Sequence, residues 1–428
     1  MRVRLARGVI AAVALCLAAP AAAMASDVQH TSVASDEPVK WTPNLLATPA
    51  VDRPVAYSIT QVGDQMVVGG NFRAVEDSKR TTSYDRTNVF AFDAATGAIS
   101  DFAPSVDGQV WSVLGAGDSV YIGGEFRNVN GEPRTAIAKL DVSTGELDPD
   151  FVPTITGGRV SDMELTHGQL IVGGTFRKRL MSLNPATGKP TGYLQVSITD
   201  PLPFTTRPEV FRFDVSPDGQ HLVAVGNFTA VDGQDNWRIV MFDLSDTGAT
   251  LSPWNYPHSS RGCHAQTRPM YQMYVRDVDF APDSSYFAVA STGGHRINGE
   301  GPGLVLCDSV ARFDTADLTP TQPVWINYTG GDTLHSVAVT GAAVYVQGHS
   351  RWLDNPYGRD SAGPGAVSRP GGGAVDPVTG DALAWNPVMP QAKGGYQILP
   401  VEGGVWFVTD GKRFHQKYRY GIRFVPVP

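Results

Sequence analysis

The chain has 428 residues, 42% hydrophobic and 18% charged, which is enough apolar material for a sizeable core; its 46 Gly and 31 Pro demand frequent turns and exclude a fold of long helices. With 34 Lys and Arg against 42 Asp and Glu the formal charge is −8, so the molecule as a whole has no basic surface to gather a polyanion, and nucleic acid is not an expected partner.

In chain order, Arg2, Arg4 and Arg7 precede an apolar stretch from Val9 to Ala19, and Ala23-Met24-Ala25 has the small-x-small form of a cleavage site. This pattern predicts a secretory signal peptide over 1–25, removed near Ala25, and a secreted mature protein. The stretch is too short to span a membrane, and no other run is longer. Residues 26–40 read as a flexible lead-in, and 41–428 as one domain. Trp41 to Leu45 has the pattern of an outer strand, yet it precedes the first inner one.

Then a unit repeats. Met66-Val67-Val68-Gly69-Gly70-Asn71-Phe72 returns as Val120-Tyr121-Ile122-Gly123-Gly124-Glu125-Phe126 and as Leu170-Ile171-Val172-Gly173-Gly174-Thr175-Phe176, with a worn copy from Val223 to Phe228. Each is followed by a strand ending in Asp or Asn and a Thr-Gly turn, such as Asp93 with Thr96-Gly97 and Asp141 with Thr144-Gly145. Degenerate copies lie at Tyr286 to Ser291, Ala343 to Gly348 and Gly404 to Thr409. The anchors fall at 69, 123, 173, 225, 290, 347 and 408. This spacing predicts an all-β, seven-bladed β-propeller of four-stranded antiparallel blades. The chain ends on a third strand, so the N-terminal strand is expected to complete the last blade and close the ring, protecting its edges.

The unit VYIGGEFRNVNGEPRTAIAKLDVSTGELDPDF (120–151) resembles the delta-60-type repeat of a bacterial β-propeller family of unknown function, closely over 55–254 and loosely from there to 428. The resemblance implies a secreted propeller and brings no catalytic residues.

If the inner strand of each blade starts at an upper face, the long segments Tyr256 to Tyr274, Thr292 to Val310 and Gly348 to Gly373 all emerge there, where function concentrates on a rigid scaffold. They carry His258, His264, His295, Arg268, Arg296, His349, Arg351, Trp352, Asp354, Tyr357, Arg359 and Asp360. Aligned inner strands place Tyr57, Trp111, Ser161, Phe211, Arg276, His335 and Tyr396 at one level around the channel mouth, with Asp277 beside Arg276. Aromatic rings and guanidinium groups in such a mouth suit an extracellular glycan or protein ligand. The same residues could instead pack the taper of the channel. The ligand-binding candidates are therefore Arg276, Asp277, His335, His349, Arg351, Trp352, Asp354, Trp111, Tyr396 and His264.

No HExxH, GxSxG, Walker or CxxC motif occurs, so catalytic residues remain unassigned. The leading reading is a binding scaffold. The alternative is an extracellular hydrolase or lyase with a His/Asp/Arg site at the mouth, and a cell-envelope structural module comes third. No cofactor is expected; scattered surface His is commoner than a His-bound metal at the mouth. A monomer is expected. Cys263 and Cys307 survive export, and strand order brings both to the upper rim of one blade, which predicts a disulfide between them.

Overall fold

Met66 to Gly70 and Val120 to Gly124 are buried along their whole length, on both strand faces. A run of that kind belongs in the middle of a sheet that is covered on both sides. The computed structural model describes residues 28–265, 268–295, 303–389 and 394–428. Among them, seven sheets share one plan, numbered one to seven in chain order. A first strand (Val55–Val62, Gln109–Ala116, Val160–Thr166, Val210–Val215, Tyr274–Phe280, Leu334–Val339, Gly395–Val401) pairs antiparallel with a second, and the second with a third. The second strands are Gln65–Asn71, Ser119–Glu125, Gln169–Gly174, His221–Gly226, Tyr286–Thr292, Val344–Gly348 and Gly404–Thr409, and each contains one of the seven repeat anchors.

Sheets three, four and five carry a fourth strand, Pro190–Gln195, Gly248–Leu251 and Trp325–Tyr328. In sheets one, two and six a single bridge stands in its place: Phe92 with Ile99, Leu140 with Leu147, and Val375 with Ala382. The Thr-Gly turns are Asx turns. Asp93 Oδ1 accepts from the backbone N–H of Ala95 (3.2 Å) and Thr96 (2.8 Å), and Gly97 follows at φ 73°, a left-handed conformation that glycine adopts without a Cβ penalty.

The first strand of each sheet packs on that of the next, and that of sheet seven packs on that of sheet one. Apolar clusters fill the seams. Val67, Ala91, Val113 and Ile122 meet between sheets one and two; Ile59, Phe90 and Phe92 meet Leu399, Trp406 and Ile422 between one and seven.

The N-terminal segment differs in detail from its sequence reading. Residues 28–40 are bonded rather than loose: Ser35 N–H donates to Pro426 O (2.8 Å), Val39 N–H to Phe424 O (3.0 Å) and Ala34 N–H to the Tyr345 hydroxyl (2.8 Å). The segment beside the last strand, Ile422–Pro426, is thus residues 35–39, upstream of the expected Trp41 to Leu45. Asn44–Leu46 pairs with Ala74–Glu76 and also reaches the last sheet, Leu45 N–H donating to Tyr420 O (3.0 Å) and Tyr420 N–H to Asn44 Oδ1 (2.9 Å), with Leu45 in the apolar seam between the first and last sheets. The only helical turn among the described residues is Pro257–Ser260, and no helix is long and apolar enough to cross a membrane.

Candidate functional site

In every one of the seven sheets the register of first and second strands slips by one residue, after Ala56, Val110, Val160, Val210, Val275, Leu334 and Gly395. The extra residues are Tyr57, Trp111, Ser161, Phe211, Arg276, His335 and Tyr396, the set that sequence alignment put at one level. A bulge leaves one residue unpaired and re-aims its side chain. The Gly-Gly pair makes room for it. A Cβ on the second glycine would stand 2.1 Å from Val55 O at Gly70, 2.0 Å from Gln109 O at Gly124 and 2.2 Å from Arg159 O at Gly174. A Cβ on the first would meet the next sheet, as at Gly69, 2.6 Å from Val110 Cγ1.

Four of the bulge side chains touch in a row and two more form a separate pair, together making a collar. The His335 ring lies over Tyr396 (6.3 Å between centroids), Tyr396 meets Tyr57 edge-on (4.9 Å), and Tyr57 stacks on Trp111 (4.2 Å, 3° between planes). Arg159 caps Trp111 at 4.2 Å, donates to Ser161 Oγ (3.1 Å) and pairs with Glu209. Arg276 lies over Phe211 (4.9 Å) and Tyr274 (4.8 Å). Trp111 is therefore held between a ring and a guanidinium, and its indole N–H is buried without a hydrogen-bond acceptor among the described residues. Burial pushes the Tyr57 hydroxyl up to about 12, which keeps it a neutral donor. Glu209 is also raised by burial, even though Arg159, Arg276, Arg207 and Arg179 all pull it down.

The other candidates lie elsewhere. Asp277 is one residue past its bulge, buried, and accepts from Val337 N–H (3.0 Å); burial pushes its carboxyl up to about 7. His264 and His295 exchange two backbone hydrogen bonds of 2.9 Å, and burial lowers the His295 pKa. His349 is exposed, with its N–H on Thr333 O (2.8 Å). Arg351 grips Asp332 through Nε (2.9 Å) and Nη2 (2.7 Å) and lies over Trp352 (4.3 Å). Asp354 accepts from the Asn327 amide and from Ala382 N–H (3.1 Å), which fastens its loop to the fourth strand of sheet five and to the fourth-strand position of its own sheet six. Arg296 and the Arg268 side chain fall outside the described residues. Cys263 and Cys307 form the expected disulfide, with Cα atoms 5.7 Å apart.

Three groups escaped the sequence reading. Arg159 and Arg212 precede or follow bulge residues, and neither sits in a motif; Arg212 reaches Ser161 O (2.8 Å) and Tyr396 O (3.2 Å). Arg238 is fully buried without a carboxylate, so its pKa falls to about 10. It donates to Met273 O (2.8 Å) and to Ser259 O, anchoring the 256–273 segment from beneath.

The third group lies below the collar in a cavity of about 500 Å³. Its walls run from Ser58, Ser112, Asp162, Arg212, Asp277 and Gln397 to the turns at Gly63, Gly117 and Glu402, and no bulge residue lines it. Its carboxylates lace the seams: Asp162 accepts from Phe213 N–H (2.9 Å), Glu164 from Val215 (3.0 Å), Asp214 from Phe280 (2.7 Å) and Asp279 from Val339 (2.6 Å). Burial raises Asp162, and raises Glu164 and Asp214 well above the usual carboxylate range. Among the described residues no three His, Cys, Asp or Glu are arranged to hold a metal ion.

Residues 118–151 match the model of a β-propeller domain of unknown function (DUF5122). No curated protein is similar in sequence to the chain. A solved chain of the mitotic checkpoint complex aligns over 97% of this chain and 100% of its own, at 13% identity and a TM-score of 0.50. BamB from Moraxella catarrhalis aligns over 91% and 99%, at 11% identity and 0.49, and the computationally designed Ika8 protein over 90% and 98%, at 10% and 0.45. At such identities the likeness is one of fold. The repeated sheets, their packing and the family-model match make this an all-β protein of β-propeller type.

Proposed function

We propose that the seven sheets are the blades of one ring, closed where residues 35–39 complete the last blade, and that the secreted ring is a monomeric scaffold binding a glycan or protein at its upper face. For closure, the support is the seam between sheets one and seven, where Ile59 N–H donates to Gln397 Oε1 (2.8 Å) and a shared apolar cluster includes Leu45. A truncated chain starting at Arg53 should melt as a whole at lower temperature; an unchanged melting temperature would overturn closure.

The observation that carries the binding reading is the collar. Six of the seven bulges aim aromatic, imidazole or guanidinium groups, and the seventh the Ser161 hydroxyl, at one level, on the face where the disulfide-tied segments emerge. Preorganised rings and forks of this kind bind with little ordering cost. The expected N-terminal export signal and the cysteine pair fit an extracellular setting. The test is a glycan array and a pull-down from conditioned medium with the mature chain, repeated with Trp111→Ala, His335→Ala and the lower-turn control Glu402→Ala. Loss of the captured ligand in the first two and retention in the third is expected. The reverse pattern would put the site on the other face.

A further inference from the structure

The charge of −8 is not evenly spread. Three upper-face segments of sheets three and four, residues 154–159, 175–179 and 202–209, hold Arg159, Arg177, Lys178, Arg179 and Arg207 with Glu209 as their one carboxylate. They are held side by side. Arg159 N–H donates to Thr175 Oγ1 (3.0 Å) and Arg177 N–H to Thr156 O (2.9 Å), while Arg159 pairs with Glu209, which also feels Arg207 and Arg179. Arg177, Lys178 and Arg207 are exposed, and no carboxylate among the described residues is within ion-pair distance of them or of Arg179.

An aromatic ring stands in the same place. Phe204 is 94% exposed and sits at φ 68°, an unfavourable backbone for a bulky residue. Its loop is fixed on both sides: Thr205 N–H and Oγ1 bond Leu202 O (3.0 and 2.7 Å), Leu202 N–H bonds Asn227 O (2.7 Å), and the Asn227 amide bonds Arg207 O (3.2 Å). A strained, fully exposed ring on a braced loop spends conformational energy on presenting an apolar face to solvent.

We propose that this patch, resting on the upper-face reading above, binds an acidic glycan, a chain of sugars bearing carboxylates. A uronate carries an apolar C–H face and an anionic group within one residue. Phe204 supplies the surface for the first, and the forks of Arg177 and Arg207 with Lys178 supply donors for the second. An acidic peptide would use the cations and leave the ring idle. With both faces of Trp111 taken, charge and Phe204 rather than collar stacking set the ligand class.

Titration calorimetry of the mature chain with oligogalacturonate, its methyl ester and polyglutamate tests this. Oligogalacturonate should bind, and weaken as salt rises from 50 to 300 mM. The Arg177→Ala/Lys178→Ala/Arg207→Ala variant should lose at least about tenfold in affinity, and the ester should bind as weakly as that variant. Phe204→Ala should lose affinity for the uronate and not for polyglutamate. All four substituted side chains are exposed, so the variants keep the fold. Equal binding of uronate and ester, or of wild type and triple variant, would overturn the proposal. If Phe204→Ala alone has no effect, the ligand is not a sugar. A neutral ligand lost on His335→Ala but kept by the triple variant would overturn the anionic class and leave the upper-face reading standing.

Discussion

At Gly124 the fold tolerates no Cβ, because the Gln109 carbonyl occupies that space and the bulge at Trp111 depends on it. Gly124→Val should therefore cost about 2–4 kcal/mol in urea unfolding, well above the roughly 0.5 kcal/mol of an ordinary surface change. A second backbone requirement recurs one step further on. The residue just before each third strand is left-handed: Asn88 (φ 66°), Ala136 (66°), Arg179 (65°), Arg238 (66°), Asp308 (43°), Gly371 (80°) and Gly421 (83°). In six of the sheets its carbonyl accepts from the backbone N–H at the position of the second glycine, as Ala136 O does from Gly124 N (2.9 Å). The Gly-Gly pairs could be read from the sequence because side chains were missing. This second position could not, since Asn, Ala, Arg and Asp share only a dihedral. Ala136→Gly should then stabilise by about 0.5–1 kcal/mol, an unusual direction for a buried alanine. A loss of stability would mean that the alanine methyl matters more than the strain.

Element by element, the upper-face segments between sheets four and six are held by unlike devices. The Cys263–Cys307 bond ties two of them together, Arg238 anchors the first from below, and Arg351 on Asp332 with Asp354 on Asn327 fastens the third. The cysteine pairing was legible from strand order and from the expected export signal, whose removal would leave two thiols. The partners of Arg351 and Asp354 were not, since Asp332 lies on the preceding connection and Asn327 in the outer strand of sheet five, and sequence spacing does not report such contacts. That is why both residues read as ligand candidates when each has a partner within the fold. A 44-residue loop closed by a disulfide gains roughly 4 kcal/mol in the chain-entropy model. Its constraint is local to sheet five and its flanks. Reduction should accordingly speed proteolytic cleavage within 256–273 while leaving hydrogen exchange in sheets one to three unchanged. Uniform loss of protection would make the bond a determinant of the whole fold.

On the scale of the molecule, repeat spacing carried the all-β, propeller-type architecture because copies of one unit leave few ways to bury their apolar faces, whereas the acidic cavity was invisible. Asp162, Glu164, Asp214, Asp277 and Asp279 are spread over 118 positions and converge only when their strands stand side by side. Each accepts a backbone N–H from the neighbouring sheet, so these acids are part of what joins sheets three to six. Their titration sets a pH dependence whose sign follows from burial. In the unfolded chain carboxyls lose their protons near pH 4; in the fold burial makes Asp162, Glu164, Asp214 and Asp277 keep them to higher pH, Asp277 to about 7. The native state thus binds more protons in between, so the stability these groups contribute is complete below about pH 4 and is lost as pH rises through 7. Arg212, beside Asp162 at 3.5 Å, opposes the rise without reversing it. The turn acids Asp93 and Asp141 are held low by hydroxyl and backbone donors. Their contribution is lost only as pH falls below about 4, and it does not offset the trend above pH 5. The urea midpoint should therefore fall between pH 5 and pH 8. Asp277→Asn keeps an acceptor for Val337 N–H and removes the proton, so it should flatten that fall and raise the midpoint at pH 8. A midpoint that rises with pH, or an Asp277→Asn profile parallel to wild type, would mean that the cavity acids are ionised in the fold and held by solvent rather than by their seams.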